Sequence, residues 1–306
     1  MERTDKLLIV CGPTASGKTS LAVSLAKQYS GELISADSRQ VYIGMDIGTG
    51  KDIGSLQGIP IHLYDVASPT ESFSVSRYRQ LAVEAIQTIQ KKGKLPVVVG
   101  GTGLYIDSLL RSSSTYDIPP NTQVRSAYQS YSVEQLQNKL MSLAPEILST
   151  MNNSDRNNPR RLIRKIEIAH TGIVLTNTDV TGNSEILIIG LRSDLSTIQR
   201  FISLRVDERI QEGFLHEIQS LLAQGVTWDM PSMSGLGYAQ MKGVLEGTKK
   251  LSNAIEEWKT KEFQYAKRQL TWFKQNPRIH WFDPSQPDYL RNVEARVSAW
   301  YTNRES

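Results

Sequence analysis

Eight residues near the start of the chain have the types and spacing to hold phosphate. They are Gly12, Pro13, Thr14, Ala15, Ser16, Gly17, Lys18 and Thr19, in the pattern G-x-x-x-x-G-K-[ST]. Glycines let successive backbone N–H groups curl around an anion. A helix beginning near Lys18 adds a partial positive charge at its N-terminus, and Lys18 adds a full one. Thr19 offers a hydroxyl to Mg2+, the one cofactor and metal expected here. The pattern predicts a bound diphosphate or triphosphate. It leaves open which compound binds, and whether phosphate is transferred or departs.

A second set of polar residues, Asp37, Ser38, Arg39 and Gln40, follows a short apolar run. In a parallel sheet the carboxyl end of a strand neighbouring the first one lies beside the phosphate loop, so Asp37 would face the ligand. It could hold magnesium, accept a proton from a nucleophile, or cap a turn. Ser38 and Gln40 suit the edge of a base as well as ordinary turn bonding. A third strand ends in Gly100-Gly101-Thr102-Gly103, with no carboxylate where phosphate-splitting enzymes usually keep one for metal. Small residues there leave space beside the phosphate loop. The Asn-Lys-x-Asp motif of guanine binding is also absent.

Basic residues gather later in the chain. Arg160, Arg161, Arg164 and Lys165 share one helical face, and Arg205 sits in an amphipathic segment. From Tyr265 to Lys274, cations alternate with aromatics, including Lys267, Arg268 and Trp272. Such a mixture can meet phosphate backbones and stack on splayed bases, or be a solvated face. Phe273 reads as core.

These residues need a scaffold. Strands are expected over 7–10, 32–35, within 59–66, over 95–99, 185–191 and 278–282. Helices are expected over 19–27, 74–92, 104–110, 157–170, 196–212, 215–224, 239–245 and 252–275, with a last one from about 287. The alternation in the first third predicts an α/β fold, a P-loop NTPase-like core whose parallel sheet is flanked by helices. Residues 111–115 read as a linker, and 122–130, 133–143 and 145–151 as helices. The division is therefore 1–115 and 153–306 as core, with 116–152 a helical insertion acting as a lid.

The chain has 306 residues, 39% hydrophobic and 22% charged, as in ordinary globular proteins. No apolar run approaches the roughly 20 residues that span a bilayer, so no membrane partner is expected. The single cysteine, Cys11, excludes an internal disulfide and reads as a small apolar residue. The cytoplasm is the expected compartment. Four histidines show no metal-ligand spacing, and a net charge of +4 permits a polyanionic partner without demanding one.

Taken together, these segments resemble the tRNA dimethylallyltransferase (tRNA isopentenyltransferase) family in its compact bacterial form. The resemblance rests on the phosphate loop, then Asp37-Ser38-Arg39-Gln40-Val41-Tyr42 and Met45-Asp46-Ile47-Gly48-Thr49. It continues through Gly100 to Tyr105, Asn158-Pro159-Arg160-Arg161-Leu162, Gly235-Leu236-Gly237-Tyr238, and Tyr265 to Phe273. It implies dimethylallyl diphosphate as donor, with its diphosphate in the loop. The acceptor would be N6 of the adenosine just 3′ of the anticodon in a tRNA stem-loop. Asp37 would take the N6 proton. Lys18, Thr19 with magnesium, and Arg205 would steady the leaving diphosphate, and Thr102 would line the channel. Contacts to tRNA would come from Asp37, Ser38, Arg39, Gln40, Thr102, Arg125, Asn158, Pro159, Arg160, Arg161, Leu162, Lys267 and Arg268. The enzyme would be a monomer. The rival readings are a small-molecule or nucleoside kinase using ATP, and a nucleotide-driven RNA-binding switch.

Overall fold

The computed structural model describes residues 6–110, 114–116, 118–172 and 184–302. The N-terminal half of the core runs β1 (Lys6–Cys11), α1 (Lys18–Gln28), β2 (Gly31–Ser35), β3 (Ile61–His62), α2 (Val75–Lys91), β4 (Leu95–Gly100) and α3 (Gly103–Leu110). A run of helices follows: α4 (Thr122–Tyr128), α5 (Val133–Leu143), α6 (Pro145–Thr150), α7 (Asn153–Arg156) and α8 (Pro159–His170). The chain returns through β5 (Glu185–Leu191), α9 (Leu195–Gln211), α10 (Phe214–Ala223), α11 (Tyr238–Leu245), α12 (Leu251–Phe273), β6 (Ile279–Phe282) and α13 (Tyr289–Thr302).

Six parallel strands form one sheet in the order β3-β2-β4-β1-β5-β6. The central strands are apolar on both faces because helices cover both. Leu7, Leu8, Ile9, Val10 and Cys11 are all fully buried. One face packs under α2, α3 and α9–α12, and the other under α1 and α13. Cys11 is a packing residue, as expected, and burial pushes its thiol up to about 12. No helix among the described residues is long and apolar enough to cross a membrane.

One expectation changes. β4 lies between β1 and β2, so Asp37 is one strand further from the phosphate loop than a direct neighbour would be. The strand expected within 59–66 is present as β3, two residues long. Leu63 and Asp65 adopt φ of 69° and 56°, left-handed values that break an extended chain.

The helical insertion also reaches further than residue 152. Leu136, Leu140, Leu148 and Met151 share an apolar cluster with Leu162 and Ile166 of α8. One packed unit thus includes α7 and α8, and a boundary at 152 would cut through it. Its helices have local starts written in sequence. Ser132 and Gln135 form a capping box on α5. The Asn158 side chain accepts from Arg161 N at 3.2 Å, and Pro159 occupies the first turn of α8.

Candidate active site

The C-terminal ends of the strands open into a cavity of about 360 Å³. In a parallel sheet this is where a ligand finds the loops that can be shaped for it. The phosphate loop forms one side. Gly17 enters α1 at φ 82°, and no side chain caps that helix, so its first N–H groups face the loop. Ser16 Oγ donates to Pro13 O at 2.9 Å, and Lys18 Nζ donates to the same carbonyl. Lys18 is held down to about 8, first by burial and then by the Arg205 guanidinium; Asp37 and Cys11 push the other way.

Arg205 and Arg209 stand one turn apart on α9, and both line the cavity. Burial and Arg209 hold Arg205 below its ordinary range. Gly50 is where they meet the opposite wall. A Cβ there would lie 2.8 Å from Arg205 Nη2 and 2.4 Å from Arg209 Nη2 and would displace both guanidiniums, and the φ of 66° itself favours glycine. Glu262 lies 3.6 Å from Arg209, accepts from Trp258 Nε1 at 2.6 Å and from Thr14 Oγ1 at 3.3 Å.

The Asp37 loop approaches from β2 across the end of β4. Gly100 permits this, since a Cβ on it would sit 2.2 Å from Ala36 O. Asp37 Oδ1 accepts from Arg39 N at 2.8 Å, which orients the carboxylate. Thr102 Oγ1 accepts from Ser38 N at 3.0 Å, and Thr102 N donates to Ala36 O at 3.0 Å. Thr102 therefore fixes the Asp37 loop rather than lining the cavity.

Residues 45–51 make the third wall. Glu217 accepts from three successive backbone groups, Asp46 N, Ile47 N and Gly48 N, at 2.8, 2.6 and 3.1 Å. Tyr238 Oη donates to it as well, at 2.6 Å. Buried Lys51 ties the far end to Asp46, Asp65 and Tyr42 O. Gln40 braces the near end: it accepts from Ser35 Oγ at 2.9 Å and donates to Gly50 O at 3.1 Å. Both ends of its amide have partners within the protein, so Gln40 shapes the wall.

Helix α12 closes the fourth side with Glu262, Tyr265, Arg268 and Gln269. Gln269 Oε1 accepts from Thr14 N at 2.9 Å, and Gln269 Nε2 donates to Gly101 O at 2.8 Å. Burial first, and then the Asp37 charge, push Tyr265 up to about 12, so its hydroxyl stays neutral. Trp272, 36% exposed, donates to Asp107 Oδ2 at 3.1 Å on the outer rim.

The IPP transferase family model matches residues 40–276. A tRNA dimethylallyltransferase of Geobacillus thermodenitrificans is 38% identical over 295 residues, 93% of this chain and 92% of the relative. Another, tRNA dimethylallyltransferase 2 of Syntrophotalea carbinolica, is 39% identical over 92% of this chain and 95% of the relative. The chain belongs to the IPP transferase family. Solved structures agree with that membership. The full-length tRNA isopentenylpyrophosphate transferase of Bacillus halodurans superposes with a TM-score of 0.71 at 35% identity, covering 96% of each chain. A eukaryotic dimethylallyltransferase acting on tRNA superposes at 0.80 with 27% identity, covering 98% of this chain and 80% of that one.

Against this family frame, the expected site residues divide. Thr14, Lys18, Thr19, Asp37, Ser38, Arg39, Gln40, Arg205 and Arg268 all line the cavity. Arg39 is partly committed there, donating to Pro231 O at 2.7 Å. Leu162, which the resemblance places among the tRNA contacts, has its side chain fully buried on the inward face of α8. Arg125 is paired with Glu167 at 2.7 Å, Arg164 with the same carboxylate at 3.1 Å, and Arg161 with Asp155. Arg160 and Lys267 are exposed outside the cavity. Sequence reasoning missed Arg209, Glu217, Glu262 and Gln269. Their one signal is period: Glu262 and Gln269 fall on the α12 face that carries Trp258, Ala266 and Phe273 inward.

Proposed function

We propose that this chain transfers the dimethylallyl group of dimethylallyl diphosphate to N6 of the adenosine 3′-adjacent to the anticodon in tRNA. One observation carries the reading beyond family membership. Lys18, Arg205 and Arg209 line one cavity together with the Asp37 carboxylate. Burial and neighbouring cations lower the proton affinity of Lys18 and Arg205, which suits them to an arriving anion, and a carboxylate in the same cavity suits a proton acceptor.

The diphosphate lies in the phosphate loop, with its allylic carbon directed toward the Asp37 loop. The adenine leaves its stack and enters from the Trp272 and Arg268 rim. N6 attacks the allylic carbon; the N6–C bond forms as the C–O bond breaks. The electron pair of that bond leaves on the diphosphate, where Lys18 and Arg205 meet the growing charge. The N6 proton passes to Asp37. An exocyclic amine is a weak nucleophile, so orientation by the fixed walls contributes more than prior deprotonation.

Thr19 presents the one protein oxygen for magnesium at the loop. Among the described residues no group of three or more His, Cys, Asp or Glu could hold a metal by itself. This donor set suits Mg2+ bound chiefly through diphosphate oxygens and water. The ion would supply charge neutralisation of the leaving group. A monomer acting on tRNA in the cytoplasm completes the reading.

A kinase reading is not favoured. β4 ends in glycines where a metal-binding carboxylate would serve ATP cleavage, and the relatives are prenyltransferases by name. The test is transfer of label from dimethylallyl diphosphate to tRNA, with ATP in parallel. Asp37→Ala should slow single-turnover transfer about 10²–10⁴-fold with little change in tRNA affinity. A near-normal rate in that variant would remove Asp37 from the chemistry.

A further inference from the structure

The leaving-group pole of the cavity, the phosphate loop, and its proton-acceptor pole, the Asp37 loop, are separate segments, and one side chain ties the first to the turn that supports the second. Gln269, 6% exposed, accepts from Thr14 N in the phosphate loop and donates to Gly101 O in the turn after β4. That turn continues into Thr102, whose hydroxyl takes the Ser38 N–H beside Asp37. We propose that Gln269 is a positioning residue that sets the distance between the leaving-group pole and the proton-acceptor pole. The assignment rests on the transfer reaction described above.

The chemistry of the bridge requires an amide. Thr14 N–H, part-buried, needs an acceptor, and Gly101 C=O, buried, needs a donor. A primary amide offers one of each on a single rigid group, and Gln has the reach to present both from α12. A carboxylate satisfies Thr14 but sets its second oxygen against the Gly101 carbonyl. An aliphatic chain leaves both groups orphaned. The fit also explains Gly101: a Cβ there would lie 2.3 Å from Gln269 Nε2 and push the amide out.

The bridge matters for rate rather than affinity. Displacement at the allylic carbon needs N6, carbon and leaving oxygen aligned, and the two loops carry the groups that hold the two ends. Slack between the loops leaves each substrate bound yet misaligned, and a displacement of about 1 Å costs on the order of 10²-fold. Glu262 strengthens the same clamp from two turns away on α12, through Thr14 Oγ1 at 3.3 Å.

The experiment compares wild type, Q269L, Q269E, G101A and the Q269L/G101A double variant. Single-turnover transfer to tRNA is measured per donor-binding site, beside dissociation constants for dimethylallyl diphosphate and tRNA. Counting donor sites corrects each rate for any unfolded fraction. Q269L and Q269E should each transfer about 10²-fold more slowly, with both dissociation constants within about threefold of wild type. The double variant should be no slower than the slower single, because both changes open one bridge. Active wild type with Q269E or Q269L within about threefold of its rate overturns the assignment. So does donor affinity lost in step with rate, or losses that multiply in the double variant. Wild type that moves no label overturns the transfer reading and takes this assignment with it.

Discussion

Arginine does opposite work in two parts of this molecule. In the helical unit, Arg125 and Arg164 converge on Glu167, whose side chain is 1% exposed, and Arg164 also donates to Thr115 O and Ile118 O. Burial opposes ionisation of Glu167, but Arg125, Asn121 N and Arg164 outweigh it and hold the carboxyl down. In α9, Arg205 and Arg209 instead face each other's charge, with Lys18 in the field of Arg205 and Glu262 as the acid beside Arg209. The first set is complete within the protein. The second is complete only when an anion arrives. A basic cluster read from sequence is the same letters in both cases; the neighbouring acids decide its job.

That contrast can be broken at several points. Arg205→Ala should reduce turnover about 10²–10³-fold and weaken donor binding far less, because its charge is used as the leaving group develops. Arg125→Ala should leave transfer within about threefold. Steady-state kinetics on the two variants side by side would erase the distinction if they behaved alike.

Next in size is Glu167→Ala. It removes the acceptor shared by Arg125, Arg164 and the Asn121 N–H, while Arg164 keeps its carbonyl partners and Arg125 turns to water, costing about 1–2 kcal/mol of stability. Urea unfolding followed by circular dichroism measures this, and no shift in midpoint would mean the pair is ornamental.

Lys18 offers a smaller effect with a definite sign. Its free-protein value of about 8 lies below the ordinary 10.5. Between those values the unfolded chain keeps a proton that the folded chain has lost, so unliganded stability rises with pH there. Diphosphate reverses the preference and restores the ammonium. Donor affinity should therefore fall by up to about tenfold per unit above pH 8, with uptake of a proton on binding. Calorimetry at pH 9 in buffers of different ionisation enthalpy detects the uptake. Equal heats would place the Lys18 titration elsewhere.

The smallest expected change is in salt dependence. Arg160→Ala or Arg268→Ala should flatten the slope of log tRNA affinity against log salt by roughly 0.7–0.9. Arg161→Ala, already paired with Asp155, should flatten it less. Filter binding at several salt concentrations separates them, and one common slope would remove all three from the phosphate contacts.

Much of the site is written locally and much is not. The phosphate loop, Asp37 and the glycines after β4 each follow an apolar run that ends in turn residues, so strand and loop are legible together. The helices of the insertion were legible from caps and period, yet their common core was not. Leu162 looks like part of a basic motif until Leu136 and Leu140 are seen to cover it. Strand order joins segments distant in sequence, which hid β4 between β1 and β2. Gln269 and Thr14 are 255 positions apart. An inward amide on a helix full of charges resembles any solvated polar residue until the fold turns that face to the loop.

The Pro13 carbonyl bears on how long product stays. Proline has no N–H to offer an anion, and here its oxygen accepts both the Ser16 hydroxyl and the Lys18 ammonium. The loop without ligand is thus internally satisfied, and diphosphate must compete for Lys18 with a partner five residues away in the same chain. A competitor that close shortens the residence of the departing product as much as it weakens the grip on the incoming donor.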